Sequence, residues 1–105
     1  MKAKKIDKNH GEIVNALRKA GATVQSLAGV GDGCPDLLVG YRGVNYLIEV
    51  KDGSKIPSKQ KLTADQIKWH LLWGGMVKIA KNVEEAFEII GIPKGIKNDL
   101  PVTWC

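Results

Sequence analysis

The sequence predicts an α/β fold: a central mixed sheet flanked by helices, with elements in the order α-β-β-β-α-β-α. Three observations predict it. Apolar residues recur at helical spacing after residue 7, after residue 63 and after residue 82. Two continuous apolar runs, Leu37-Leu38-Val39 and Tyr46-Leu47-Ile48, flank a tight Arg42-Gly43 turn, as in a hairpin. Gly-rich punctuation separates the periodic segments, with no repeat, low-complexity stretch or linker to divide the 105 residues. One domain follows, its core over about 7–90 and a tail over 91–105.

The first helix is expected over residues 7–20, where Ile6, Ile13, Leu17 and Ala20 share a face and Gly21 stops it. Asn9 and Glu12 have capping-box spacing, which places the regular start near Asn9. Residues 22–28 alternate as a strand, and Gly29 to Pro35 form a Gly-rich loop. No Gly-Lys-Ser/Thr follows those glycines, so they are not a phosphate-cradling P-loop. Strands Asp36–Tyr41 and Val44–Lys51 come next. Their unbroken apolar character predicts burial on both faces, as at a sheet centre. A loop over 52–62 leads to Thr63-Ala64-Asp65-Gln66, a capping-box match that opens the second long helix. Ile67, Leu71 and Trp73 are expected to face the core, and Gly74-Gly75 to end the helix. A short strand over Met76–Ile79 precedes a third helix, capped by Asn82, that buries Ala86, Phe87 and Ile90.

Sixteen Lys plus Arg against eleven Asp plus Glu give a net charge of +5, which favours a polyanionic partner. Apolar runs fall far short of the ~20 residues of a membrane span. Two cysteines, Cys34 and Cys105, have no disulfide or zinc spacing. An intracellular, cytoplasmic protein is the simplest reading. His10 and His70 stand alone and are not expected to ligate metal.

Asp36 and Glu49 sit where acids are awkward, in apolar strands, and the hairpin brings both to the same end of the sheet. Glu49 and Lys51, two apart, point to one face. Carboxylates within ~4 Å repel by about 4 kcal/mol at an effective dielectric near 20, and a divalent cation removes that repulsion. Oxygen-only ligands favour Mg²⁺ or Mn²⁺, and the Val50 carbonyl can add a third. Such a cation serves phosphodiester hydrolysis, with Lys51 orienting water or offsetting transition-state charge. Lys55, Lys59, Lys61 and Lys68 follow the motif strand and form either a phosphate track or a solvated charged loop.

Pro35-Asp36, twelve residues, then Glu49-Val50-Lys51 is similar to the signature of the PD-(D/E)XK nuclease superfamily. Gly33-Cys34-Pro35-Asp36-Leu37, Ile48-Glu49-Val50-Lys51 and Thr63-Ala64-Asp65-Gln66 resemble its VRR-NUC branch, in particular the short stand-alone phage-type members related to archaeal Holliday junction resolvases. The resemblance spans the first helix to about Ala80. It implies the restriction-endonuclease-like αβββαβ core and a divalent metal at Asp36 and Glu49. It further implies Glu12 as an acid reaching the site, Gln66 as a supporting residue, and a homodimer that cuts branched DNA such as four-way junctions. The chain has no Val-Arg-Arg triplet; the relevant helix reads Gln66-Ile67-Lys68-Trp69-His70. The competing readings are a sequence-specific restriction-type endonuclease, for which 105 residues leave little room, and a catalytically silent nucleic-acid-binding module.

Overall fold

The computed structural model describes residues 7–93. Helix α1 (His10–Lys19) is followed by strands β1 (Thr23–Ser26), β2 (Leu37–Tyr41) and β3 (Val44–Val50). A one-turn 3-10 helix (Pro57–Lys59), helix α2 (Ala64–Leu72), strand β4 (Val77–Ala80) and helix α3 (Val83–Ile89) complete it. The order is the expected one. The strands form one mixed sheet, β1-β2-β3-β4, antiparallel except for the parallel pair β3–β4. Ile6, Cys105 and nearly all of the tail lie outside the described residues.

Local chemistry explains most boundaries. Gly21, at φ +99°, ends α1 where a side chain would be strained. Arg42 and Gly43 both take positive φ, as a two-residue turn matched to the twist of a hairpin requires. Register then follows: Leu37 pairs with Ile48 and Tyr41 with Val44. Asn82 caps α3 by accepting the Glu85 N–H at 2.8 Å.

The core lies on one face of the sheet. Ile13, Val14 and Leu17 of α1 and Ala86 and Ile90 at α3 pack with Leu37, Val39, Ile48, Val50 and Ala80. Two expectations fail here. Leu38 is exposed and Leu47 only half-buried, so β2 and β3 are central in strand order yet covered on one side alone. Ile67, Leu71 and Trp73 do not face the core. All three are exposed, and Gln66 is the one buried residue of α2. Apolar periodicity shows that a helix face needs cover, not that its own chain supplies it.

Candidate active site

The chemistry-bearing residues gather on the opposite face, at the carboxyl ends of β3 and β4. Continuing the β2–β3 register by one residue sets Asp36 opposite Glu49, on the face that Leu37 and Ile48 turn away from. The Asp36 main chain extends the β1–β2 ladder, its carbonyl accepting the Leu27 N–H at 2.7 Å. Its carboxylate extends the next ladder, Oδ2 accepting the Val50 N–H at 2.7 Å. A strand residue directs its N–H and C=O to the same side. The Val50 carbonyl therefore lies on the Asp36 side of β3, as a third oxygen donor must.

Asp36 is 2% exposed and Glu49 is fully buried. An uncompensated buried carboxylate costs several kcal/mol. Compensation comes from the first turn of α2. Gln66 Nε2 donates to Glu49 Oε2 at 3.1 Å, and Gln66 Oε1 accepts from Lys51 Nζ at 2.8 Å. Lys51 Nζ stands 3.8 Å from Glu49 Oε2. The same Oε1 accepts the Thr63 N–H at 2.9 Å, while Thr63 Oγ1 accepts the Gln66 N–H at 3.2 Å. One side chain thus closes the capping box and bridges Glu49 to Lys51. Its amide can take only one orientation: turned over, its NH₂ would face the Thr63 N–H and the Lys51 ammonium, donor against donor.

The Gly-rich loop holds this arrangement in register. Gly33 has φ +84°, and a Cβ there would meet the Asp65 carbonyl oxygen at 2.3 Å. The loop backbone lies directly against the first turn of α2, with Pro35 buried beneath it.

Across the sheet end, Asn9 departs from expectation. It precedes α1, yet its side chain makes no cap bond, so the Asn9–Glu12 capping box does not form. Asn9 Nδ2 donates instead to the Lys51 carbonyl at 3.1 Å and the Lys81 carbonyl at 3.0 Å. These two bonds tie α1 to the ends of β3 and β4. Glu12 is exposed in a cleft with Lys8, Asn9, Asp52, Ser54 and Lys81. No group of three or more His, Cys, Asp or Glu side chains able to hold a metal occurs among the described residues.

Two residues carried no sequence signal of their placement. His10 is buried beside Val14, Val24, Ser26 and Leu37, and its Nε2 has no hydrogen-bond partner among the described residues. Asp52, next to Lys51, closes a turn. The Ser54 hydroxyl and amide donate to its Oδ1 at 2.6 and 2.9 Å, holding the carboxyl below the usual carboxylate range, with Lys55 and Lys8 adding to the effect. Of the lysines set beside the motif strand, Lys55 pairs with Asp7 at 3.3 Å. Lys59 and Lys61 are exposed on the loop, and Lys68 is exposed on α2.

The donor set suits a hard divalent cation. It comprises two buried carboxylates on facing strands and a strand carbonyl, all oxygen, with no thiol or imidazole among them. A carboxylate offers about four lone-pair sites, and one N–H bond uses one of them. Among the described residues no helix is long and apolar enough to cross a membrane. No protein-family model, curated protein or solved structure matches the chain.

Proposed function

We propose that the chain is a metal-dependent DNA endonuclease of the PD-(D/E)XK type, from the VRR-NUC branch, that hydrolyses phosphodiester bonds in branched DNA such as four-way junctions. One observation carries the reading: two buried acids and a buried lysine, spaced as in that signature, lie on one face at the sheet end, with Glu49 and Lys51 joined through the single amide of Gln66 and Asp36 held by the Val50 N–H. A purely structural ion pair needs neither the second acid nor full burial, and apolar residues in its place would be at least as stable.

Hydrolysis forms one P–O bond to water and breaks one P–O bond to a sugar oxygen, which leaves with a proton. Asp36, Glu49 and the Val50 carbonyl would hold Mg²⁺ or Mn²⁺, which supplies positive charge at the phosphate and eases deprotonation of the water. Lys51 brings a cation to the same face and offsets negative charge as it grows on the phosphoryl oxygens. Gln66 fixes the Lys51 ammonium by a short hydrogen bond and keeps Glu49 aimed at the end of the sheet. Lys59, Lys61 and Lys68 give flanking phosphates an electrostatic path to the centre. A homodimer would present two such centres to the near two-fold symmetry of a junction.

The test is cleavage of labelled linear duplex, splayed-arm, single-stranded and four-way-junction DNA. Each is run with Mg²⁺, Mn²⁺ or EDTA, beside Asp36→Ala. The expected result is metal-dependent cutting, best on the junction and lost in Asp36→Ala. Binding without cutting under either metal would favour the catalytically silent module, and efficient cutting of one linear sequence would favour the restriction-type reading.

A further inference from the structure

The loop that leaves the site strand carries an apolar tip. Ile56 is 64% exposed, and Pro57 beside it is exposed as well. A scattered exposed apolar residue needs no explanation. This one is set among cations: Lys55 precedes it and is tied to Asp7, while Lys59 and Lys61 follow it, both exposed. The loop is also pinned. The Gly53 N–H donates to the Lys81 carbonyl at 3.1 Å, and the Lys55 N–H to the Asp52 carbonyl at 3.1 Å. Gln60 Nε2 donates to the Gly53 carbonyl at 3.2 Å and also to the Lys55 carbonyl. The Lys59 N–H donates to the Ile56 carbonyl at 2.9 Å, closing a turn over Pro57. Pro57 fixes its own φ and keeps Ile56 extended, at φ −59° and ψ 153°. The backbone of the tip is therefore ordered in advance, and seating its side chains costs little further entropy.

We infer that the Ile56–Pro57 tip is a wedge that enters an opened base step of the DNA at its branch point; the inference rests on the nuclease reading and deepens it. Three observations select that occupant. The first is reach. Ile56 follows Lys51 by five residues, so the two stand no more than about 18 Å apart, roughly five base steps of about 3.4 Å. The second is charge. Lys59 and Lys61 neutralise phosphates beside the tip while the tip itself meets bases. The third is chemistry. Isoleucine and proline side chains have no hydrogen-bonding atom, so they cannot read a base edge, but they bury apolar surface when they enter between bases.

The wedge selects branches by a difference of affinities. In intact duplex, entry between bases must first break a stack, and that cost offsets the gain from burying Ile56. At a branch point a strand leaves the helix and the step opens more easily, so more of the gain is realised. Burying most of one isoleucine side chain is worth on the order of tenfold in affinity. Lys59 and Lys61 act on both substrates alike, because phosphates are common to both. The tip is thus a specificity-determining element beside the site and takes no part in the hydrolysis.

Fluorescence of 2-aminopurine, placed in turn at each position flanking the branch point of a four-way junction, tests the inference. Binding is read with Ca²⁺ as the only divalent cation, and cleavage is scored separately with Mg²⁺. The wild-type chain is expected to raise the fluorescence at the branch point and not in a linear duplex carrying the same base. Ile56→Ala, altered at an exposed position, is expected to keep the wild-type thermal melt and to lose the rise. It should bind linear duplex within about twofold of wild type and lose about tenfold of the preference for the junction over the duplex. Ile56→Leu, still apolar and of the same size, is expected to keep the rise. An unchanged rise and preference in Ile56→Ala, or no rise with the wild-type chain bound, overturns the wedge. Cutting with Mg²⁺ but no rise overturns the wedge and leaves the nuclease reading standing. A rise that Ile56→Ala abolishes, with no cutting under Mg²⁺, supports the wedge and counts against the nuclease reading instead.

Discussion

The two faces of the sheet are built by different rules. On the α1–α3 face, Ile13, Leu17, Leu37, Val39 and Ile48 are fully buried against one another. On the α2 face the buried groups are Asp36, Glu49, Lys51 and Gln66, satisfied by hydrogen bonds and an ion pair, and the surrounding apolar side chains stay exposed. The first face supplies stability by burial. The second supplies little of its own and depends on the first to hold β2 and β3 in register. The candidate site thus sits on the less covered side of the sheet, where an acid pair can be kept without breaking the core.

Neighbouring leucines on β2 give the sharpest break between the faces. Leu37→Ala should cost about 2–5 kcal/mol of unfolding free energy, because it empties a fully buried site. Leu38→Ala should cost less than about 1 kcal/mol, because Leu38 is exposed. Urea unfolding checks both, and equal losses would show that the second face is packed as well. Next in size is Gly33→Ala. Its Cβ has no room against the Asp65 carbonyl and its backbone has positive φ, so a loss of roughly 1–3 kcal/mol is expected. Cleavage should fall further than stability alone explains, because the first turn of α2 must move away from Glu49. Measuring both on the same preparation separates the two effects.

The smallest effect is a pH dependence at the edge of the site. The Asp52 carboxyl is held low in the folded chain by Ser54, so its contribution to stability is present above the ordinary carboxylate range, near pH 4. It is lost as the pH falls through the lower folded value. Carbon NMR of the Asp52 carboxyl should show its midpoint below that of a free Asp, and Ser54→Ala should raise it.

Much of this was legible in the sequence because the signals were local. Arg42-Gly43 set the hairpin and its register, and that register alone put Asp36 across from Glu49. Thr63 and Gln66 carried the spacing of a capping box, and the box is formed. What failed were inferences that needed a partner to be named. Asn9 had capping spacing to Glu12, but two carbonyls at the strand ends compete for its amide, and tertiary bonds displaced the local one. Ile67, Leu71 and Trp73 had the period of a buried stripe, yet periodicity does not say which chain does the burying. His10 faces inward from α1 with nothing in its spacing to mark it.

The central claim is that the buried acids and lysine form a catalytic centre. Single-turnover cleavage by Lys51→Ala, with Mn²⁺ and a four-way junction and alongside a thermal melt, tests it most directly. The account predicts a folded protein whose cleavage rate is lower by about 10²–10³-fold, the usual cost of removing one preorganised electrostatic contact to the transition state. Cleavage at the wild-type rate would contradict it and return Lys51 to a structural role.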